Sequence, residues 1–176
     1  MPPNPLHFSA IAPLYFKWPK SFDITALLFS STLVDLELLV FLLNGEPMIH
    51  GFWHSYLFVL TIYPAALSPI LYLLERGIDK KIEGIYRFFR FFPETISYPF
   101  KAIYTSCLVG GASHIFLDMW VHQNSSWVLF PFYEGNLFWI GEWSIIVFGL
   151  VTLLSLYAVF LWIRQMRIPR RNSTQS

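Results

Sequence analysis

His114 and Asp118 stand four residues apart inside one apolar run, so a helix there projects both side chains from the same face. His122 follows four residues later and extends the stripe. His50 and His54 have the same spacing and share a face if a helix starts near Pro47, just after Asn44-Gly45. Asp35 lies in another apolar run. Glu37, two residues on, points about 200° away from it on a helical wheel. Imidazole and carboxylate together are the ligand set of zinc and similar divalent ions. An ion also answers an energetic question, because a carboxylate in apolar surroundings needs a positive partner and no Lys or Arg stands close to Asp35, His114 or Asp118 in the sequence. Asp35, His50, His54, His114, Asp118 and His122 are therefore candidate ligands of a divalent metal, zinc first, with manganese or iron as alternatives. Without a metal, His114 and Asp118 would form a buried hydrogen bond or a proton relay. Glu37 reads as a polar contact between helices rather than a ligand.

The elements that must position these residues follow from composition. Of 176 residues, 55% are hydrophobic and only 13% are charged, about half the charged share usual for a soluble domain. Four 20-residue windows, 24–43, 55–74, 102–121 and 144–163, match a bilayer core of about 30 Å. The expected fold is all-α: a single polytopic membrane bundle over residues 1–171 with four spanning helices. Pro64 and Pro69 predict a kink in the second span, and Gly110-Gly111 a close helix approach in the third. Within the four windows the only Asp, Glu or His are Asp35, Glu37, His114 and Asp118. Each costs about 2–3 kcal/mol or more in a bilayer, which marks it as functional by default.

The twelve Lys and Arg fall before the first window, between the second and third, and after the fourth; 44–54 and 122–143 have none. Four spans put all twelve on one face, which positive-inside logic makes cytoplasmic. Both termini are then cytoplasmic and the His/Asp residues lie towards the outer side of a cell membrane. Ile78, Ile82, Ile85 and Phe89 predict an interfacial amphipathic helix within 76–101. Residues 5–16 are too short to span and read as interfacial or re-entrant. The aromatic loop 122–143 suits the membrane boundary, and 172–176 reads as a disordered tail. Asn124-Ser125-Ser126 is a glycosylation-type sequon. Cys107 is a small core residue, Glu134 and Glu142 are solvated acids, and nucleic acid is not an expected partner.

An ordered series of short motifs resembles a family. The opening Met1-Pro2, His7, Ala10 and Pro13-Leu14, the run Ser30 to Glu37, Trp53-His54-Ser55, Gly110 to His114 with Asp118 and His122, and then Trp127 and Pro131-Phe132 are similar to prokaryotic multi-pass proteins described as membrane-bound metal-dependent hydrolases. The series covers roughly residues 1–132. Its ligand order is distantly similar to that of soluble zinc-dependent phospholipases C. The resemblance implies His7, Asp35, His54, His114 and Asp118 as metal ligands, whereas spacing alone reads His7 as a surface side chain near the terminus. Val34 and Trp53 replace the family's Pro and Thr, and Leu38 stands where some members have a further His.

Three functions follow as expectations. The first is a membrane-embedded metal-dependent hydrolase acting on a lipid or lipid-linked phosphoester at the outer leaflet. The second is a non-catalytic subunit of a larger membrane complex, its polar cluster structural and its aromatic loop packed on a partner. The third is an ion or proton carrier, which requires polar groups continuing to the inner side.

Overall fold

A computed structural model describes residues 6–45, 50–77, 84–86, 88–89, 91, 98–123 and 125–167. The expected interfacial helix within 76–101 falls mostly outside these, as do Pro47, Asn124 and the tail 172–176. Among the described residues the fold is all-helical. The elements are α1 (Leu6–Lys17), α2 (Ile24–Thr32), a 3-10 turn (Leu33–Asp35), α3 (Leu36–Leu43), a second 3-10 turn (Phe52–His54), α4 (Tyr56–Leu60), α5 (Ile62–Gly77), α6 (Phe100–Val121), a third 3-10 turn (Gly141–Trp143) and α7 (Ser144–Arg167). Among the described residues two stretches, Ile24–Leu43 and Gly141–Arg167, are long and apolar enough to cross a membrane.

Local chemistry sets the breaks. Asp23 starts α2 by accepting the backbone N–H of Thr25 and Ala26 on its carboxylate, and Ser55 starts α4 by accepting that of Phe58. The second window is not one kinked helix. It breaks at Thr61, whose φ of −123° and ψ of −78° leave the helical region. Pro64 explains the place, since its ring lacks the N–H that would reach the Leu60 carbonyl and crowds that carbonyl instead. Pro69 is absorbed inside α5 without a break.

α6 is the centre of the bundle and packs on α2, α4 and α5. Its two glycines face different neighbours. A Cβ on Gly110 would stand 1.8 Å from Ser30 Oγ of α2, and one on Gly111 would stand 3.0 Å from the Tyr63 ring of α5. Side chains would hold these helices apart, so Gly-Gly is what admits contact on both sides. The sealed core beside them includes Leu27, Val34, Val59, Ile103, Cys107 and Ile115. α1 packs between α2 and α7, and its Tyr15 is fully buried. α7 keeps most of its apolar surface uncovered, with Ile145, Leu153 and Leu156 all more than 60% exposed.

Candidate metal centre

Four elements converge at one end of the bundle. The turn after α2 supplies Asp35, the turn before α4 supplies His54, α6 supplies His114 and Asp118, and α1 brings His7 alongside. His114 is fully buried, His54 is 1% exposed and Asp118 is 3% exposed.

The nitrogens and oxygens of this quartet point at one another. His114 Nε2 lies 3.3 Å from Asp35 Oδ1 and 3.2 Å from Asp118 Oδ2. His54 Nε2 lies 3.4 Å from Asp35 Oδ1 and 3.8 Å from Asp118 Oδ2. A tetrahedral ion with bonds of about 2.0–2.1 Å holds neighbouring ligand atoms about 3.3 Å apart. Three of the four separations match that figure and the fourth needs a small inward movement.

The far side of each ring fixes its tautomer. His114 Nδ1 lies 2.8 Å from the Ser31 carbonyl, which can only accept, so Nδ1 carries the proton. His54 Nδ1 lies 2.8 Å from Glu37 Oε2, a carboxylate. If both rings are neutral, each turns a bare Nε2 lone pair towards carboxylate oxygens; neither Nε2 has a hydrogen-bond partner. Lone pairs facing lone pairs in a buried site repel unless a cation, or added protons, sits among them. The donor set, spacing and orphaned atoms fit a divalent metal.

Asp118 also faces a second group with its other oxygen. Oδ1 lies 3.3 Å from His7 Nε2 and 3.6 Å from His122 Nε2. His50, Asp118 and His122 offer ligand atoms within 4.8 Å of one another, as do the four of the quartet. The His50 ring packs against those of His54 and His122, with centroids 4.2 and 4.9 Å apart. His7 stacks on His114 at 4.2 Å. Burial holds the His50 imidazole down to about 3, with His54 the next cause, and holds His7 down to about 4, with His114 next. Both therefore keep free lone pairs at neutral pH. The side chain of His122 is 19% exposed, which makes this second group the more open side of the centre.

All seven candidate residues thus meet in one place, by routes that differ from those the spacing suggests. The helix expected to carry both His50 and His54 is absent over 50–54. His50 lies in coil and His54 ends a 3-10 turn, so their proximity comes from a fold of the loop. His7 is drawn in by the packing of α1, against the reading of it as a surface side chain. Glu37 makes a polar contact, as expected, but to the 50–54 loop rather than to another helix. It is 5% exposed and accepts from Gly51 N at 2.9 Å and Trp53 N at 2.8 Å besides holding His54. One imidazole spans the two carboxylates that point apart, with Nε2 towards Asp35 and Nδ1 towards Glu37. The signal for this role was the unexplained cost of a second acid beside Asp35. A Cβ at Gly51 would come within 2.7 Å of Glu37 Oε1, so the glycine admits the carboxylate. Asn136 is another unanticipated contributor. Its Nδ2 donates to the carbonyls of Met119 and His122 at 2.7 Å each and so finishes the helix end that bears His122.

No protein family, curated protein or solved structure matches this chain.

Proposed function

We propose that this protein is a membrane-embedded metalloprotein with a hydrolase centre towards the outer side of a four-span bundle. The observation that carries it is the buried quartet Asp35, His54, His114 and Asp118, with ligand-atom separations of 3.2 to 3.8 Å and both Nδ1 atoms anchored. The uncovered apolar side chains of α3, α5 and α7, such as Leu43, Leu73 and Ile145, support a lipid setting. The one-sided distribution of Lys and Arg supports cytoplasmic termini.

The residues divide the work. Asp35, His54, His114 and Asp118 hold one ion, preferably zinc. Asp118 Oδ1 turns to His7 and His122, with His50 beside them, and so offers a second, more open position. A divalent ion at such a position supplies Lewis-acid polarisation of a phosphoryl oxygen and acidifies water. Glu37 orients His54 and the Ser31 carbonyl orients His114. A lipid or lipid-linked phosphoester is the substrate class that reaches a centre at the membrane boundary.

The closure of the quartet favours a second reading, a non-catalytic membrane subunit with a structural ion. Four protein ligands at 0 to 8% exposure leave no free position on the first ion, as structural zinc sites do. Metal analysis of detergent-purified protein tests both readings. The hydrolase reading expects stoichiometric metal, its loss in a His114→Ala, Asp118→Ala double variant, and metal-dependent cleavage of lipid phosphoesters. Metal without any cleavage leaves the structural reading. Absence of metal from folded wild-type protein refutes both.

A further inference from the structure

At the other end of α2 from the metal candidate lies a buried polar cluster that the metal chemistry does not use. Asp23 is fully buried at the start of α2. Its carboxylate accepts from Thr25 N at 3.0 Å, Ala26 N at 3.1 Å and the Tyr86 hydroxyl at 2.8 Å. Its own N–H donates to Ser106 Oγ of α6 at 2.9 Å. Glu75, on the last turns of α5 and 4% exposed, lies within side-chain hydrogen-bonding reach of Asp23. Glu75 Oε1 is buried with no hydrogen-bond partner. The other titratable groups facing the pair are Tyr86, Tyr98 and Cys107, which carry no charge at neutral pH. The neighbouring Arg76 lies over the Tyr72 ring, 4.2 Å from its centroid. Among the described residues no Lys or Arg forms an ion pair with either carboxyl.

Two carboxyl groups in contact and out of water do not both ionise, because like charges at that range repel strongly. Three donors and the positive end of α2 favour the charge on Asp23. Glu75 sits near the negative end of α5, where a further negative charge is opposed. We propose that Asp23 and Glu75 form a proton-binding carboxyl pair on the basic side of the bundle, with Glu75 holding one proton and donating it to Asp23. Deprotonation places two carboxylates against each other between α2 and α5. The pair is a second ionisable centre, and it does not rest on the metal reading.

Infrared spectroscopy of the full chain in lipid nanodiscs at pH 7, in choline chloride and then in sodium chloride, tests this. The expected result is a protonated-carboxyl C=O band that Glu75→Gln abolishes and Glu134→Gln, on the outer loop, leaves intact. Because the amide of Gln can donate to Asp23 as the acid does, Glu75→Gln is expected to keep the wild-type unfolding midpoint while Glu75→Ala lowers it. No such band, or a band that survives Glu75→Gln, overturns the proposal. A band that sodium removes also overturns it, since the occupant is then a metal cation.

Discussion

Replacing Gly110 by Ala adds one methyl group at the closest approach of α2 and α6. That methyl would meet Ser30 Oγ at 1.8 Å, Ser30 Cβ at 2.9 Å and the Ser31 backbone nitrogen at 3.1 Å. Rotating Ser30 does not relieve the clash. It breaks the bonds of Oγ to the Leu27 and Ser106 carbonyls, and it leaves Cβ and the backbone where they are. Carbon contacts settle at about 3.5 Å or beyond, so the helices must part by about 0.6 Å or more. Overpacking of this kind costs about 1–3 kcal/mol. Ala recovers up to about 1 kcal/mol through its better helix propensity. The expected net loss is therefore about 0–3 kcal/mol. The sharper effect falls on the metal candidate. The same parting stretches the bond between His114 Nδ1 and the Ser31 carbonyl, now 2.8 Å, and loss of such an anchor lowers metal affinity by about 10–100-fold. Gly149 is the control, exposed on α7 with nothing within 4 Å of an added Cβ; Gly149→Ala should leave both properties level or slightly improved. Thermal unfolding in detergent and competition with a metal chelator measure the two quantities. A Gly110→Ala protein with undiminished metal affinity would refute the coupling of this close packing to the centre.

Further outcomes are expected. Glu37→Gln should weaken metal binding by about 10–100-fold in chelator competition while preserving the helical content, because it disturbs the partner of His54 rather than a ligand. Tyr63→Phe removes a buried hydroxyl that donates to the Ser30 carbonyl at 3.0 Å, and should cost about 0.5–1.5 kcal/mol in equilibrium unfolding. The third concerns acid. Burial holds His50 down to about 3 in the folded protein, against an ordinary 6.5. The unfolded chain takes up the proton first as pH falls, so the contribution of His50 to stability is complete above about 6.5 and is lost towards 3. Metal-free His50→Asn protein should therefore lose stability less steeply than metal-free wild type between pH 7 and 5. Parallel slopes would show that His50 is not buried as described.

The quartet was legible because charge is scarce in apolar runs. Asp35, His114 and Asp118 announce themselves by their cost, and the spacing of four between His114 and Asp118 fixes a shared face once α6 is a helix. His54 was legible as a ligand type, but its position depends on a 3-10 turn whose shape periodicity does not encode. Glu37 was legible as a polar contact, but its partner was not, for a related reason. A helical wheel places it away from Asp35, yet an imidazole has nitrogens on two edges and joins acids that diverge. The break at Thr61 was foreshadowed by Pro64, whereas Pro69 shows that proline alone does not decide, since the surrounding packing sets whether a helix continues. The placement of α1 had no local signal, because a short apolar helix fits an interface or a core equally well until its neighbours are known.

The contact between α1 and α7 bears on the order in which the protein assembles during synthesis. Ser9 Oγ and Ser155 Oγ lie 2.5 Å apart across 146 residues of chain, and α1 packs extensively on α7. α7 contributes none of the seven candidate ligands, which all lie between residues 7 and 122. The ligand set of the quartet is therefore complete without any residue of α7. α1 precedes every other helix described here, yet it gains its final cover only when α7 arrives. His7 itself meets His114 and Asp118 of α6, so α7 bears on it through the cover that it gives α1.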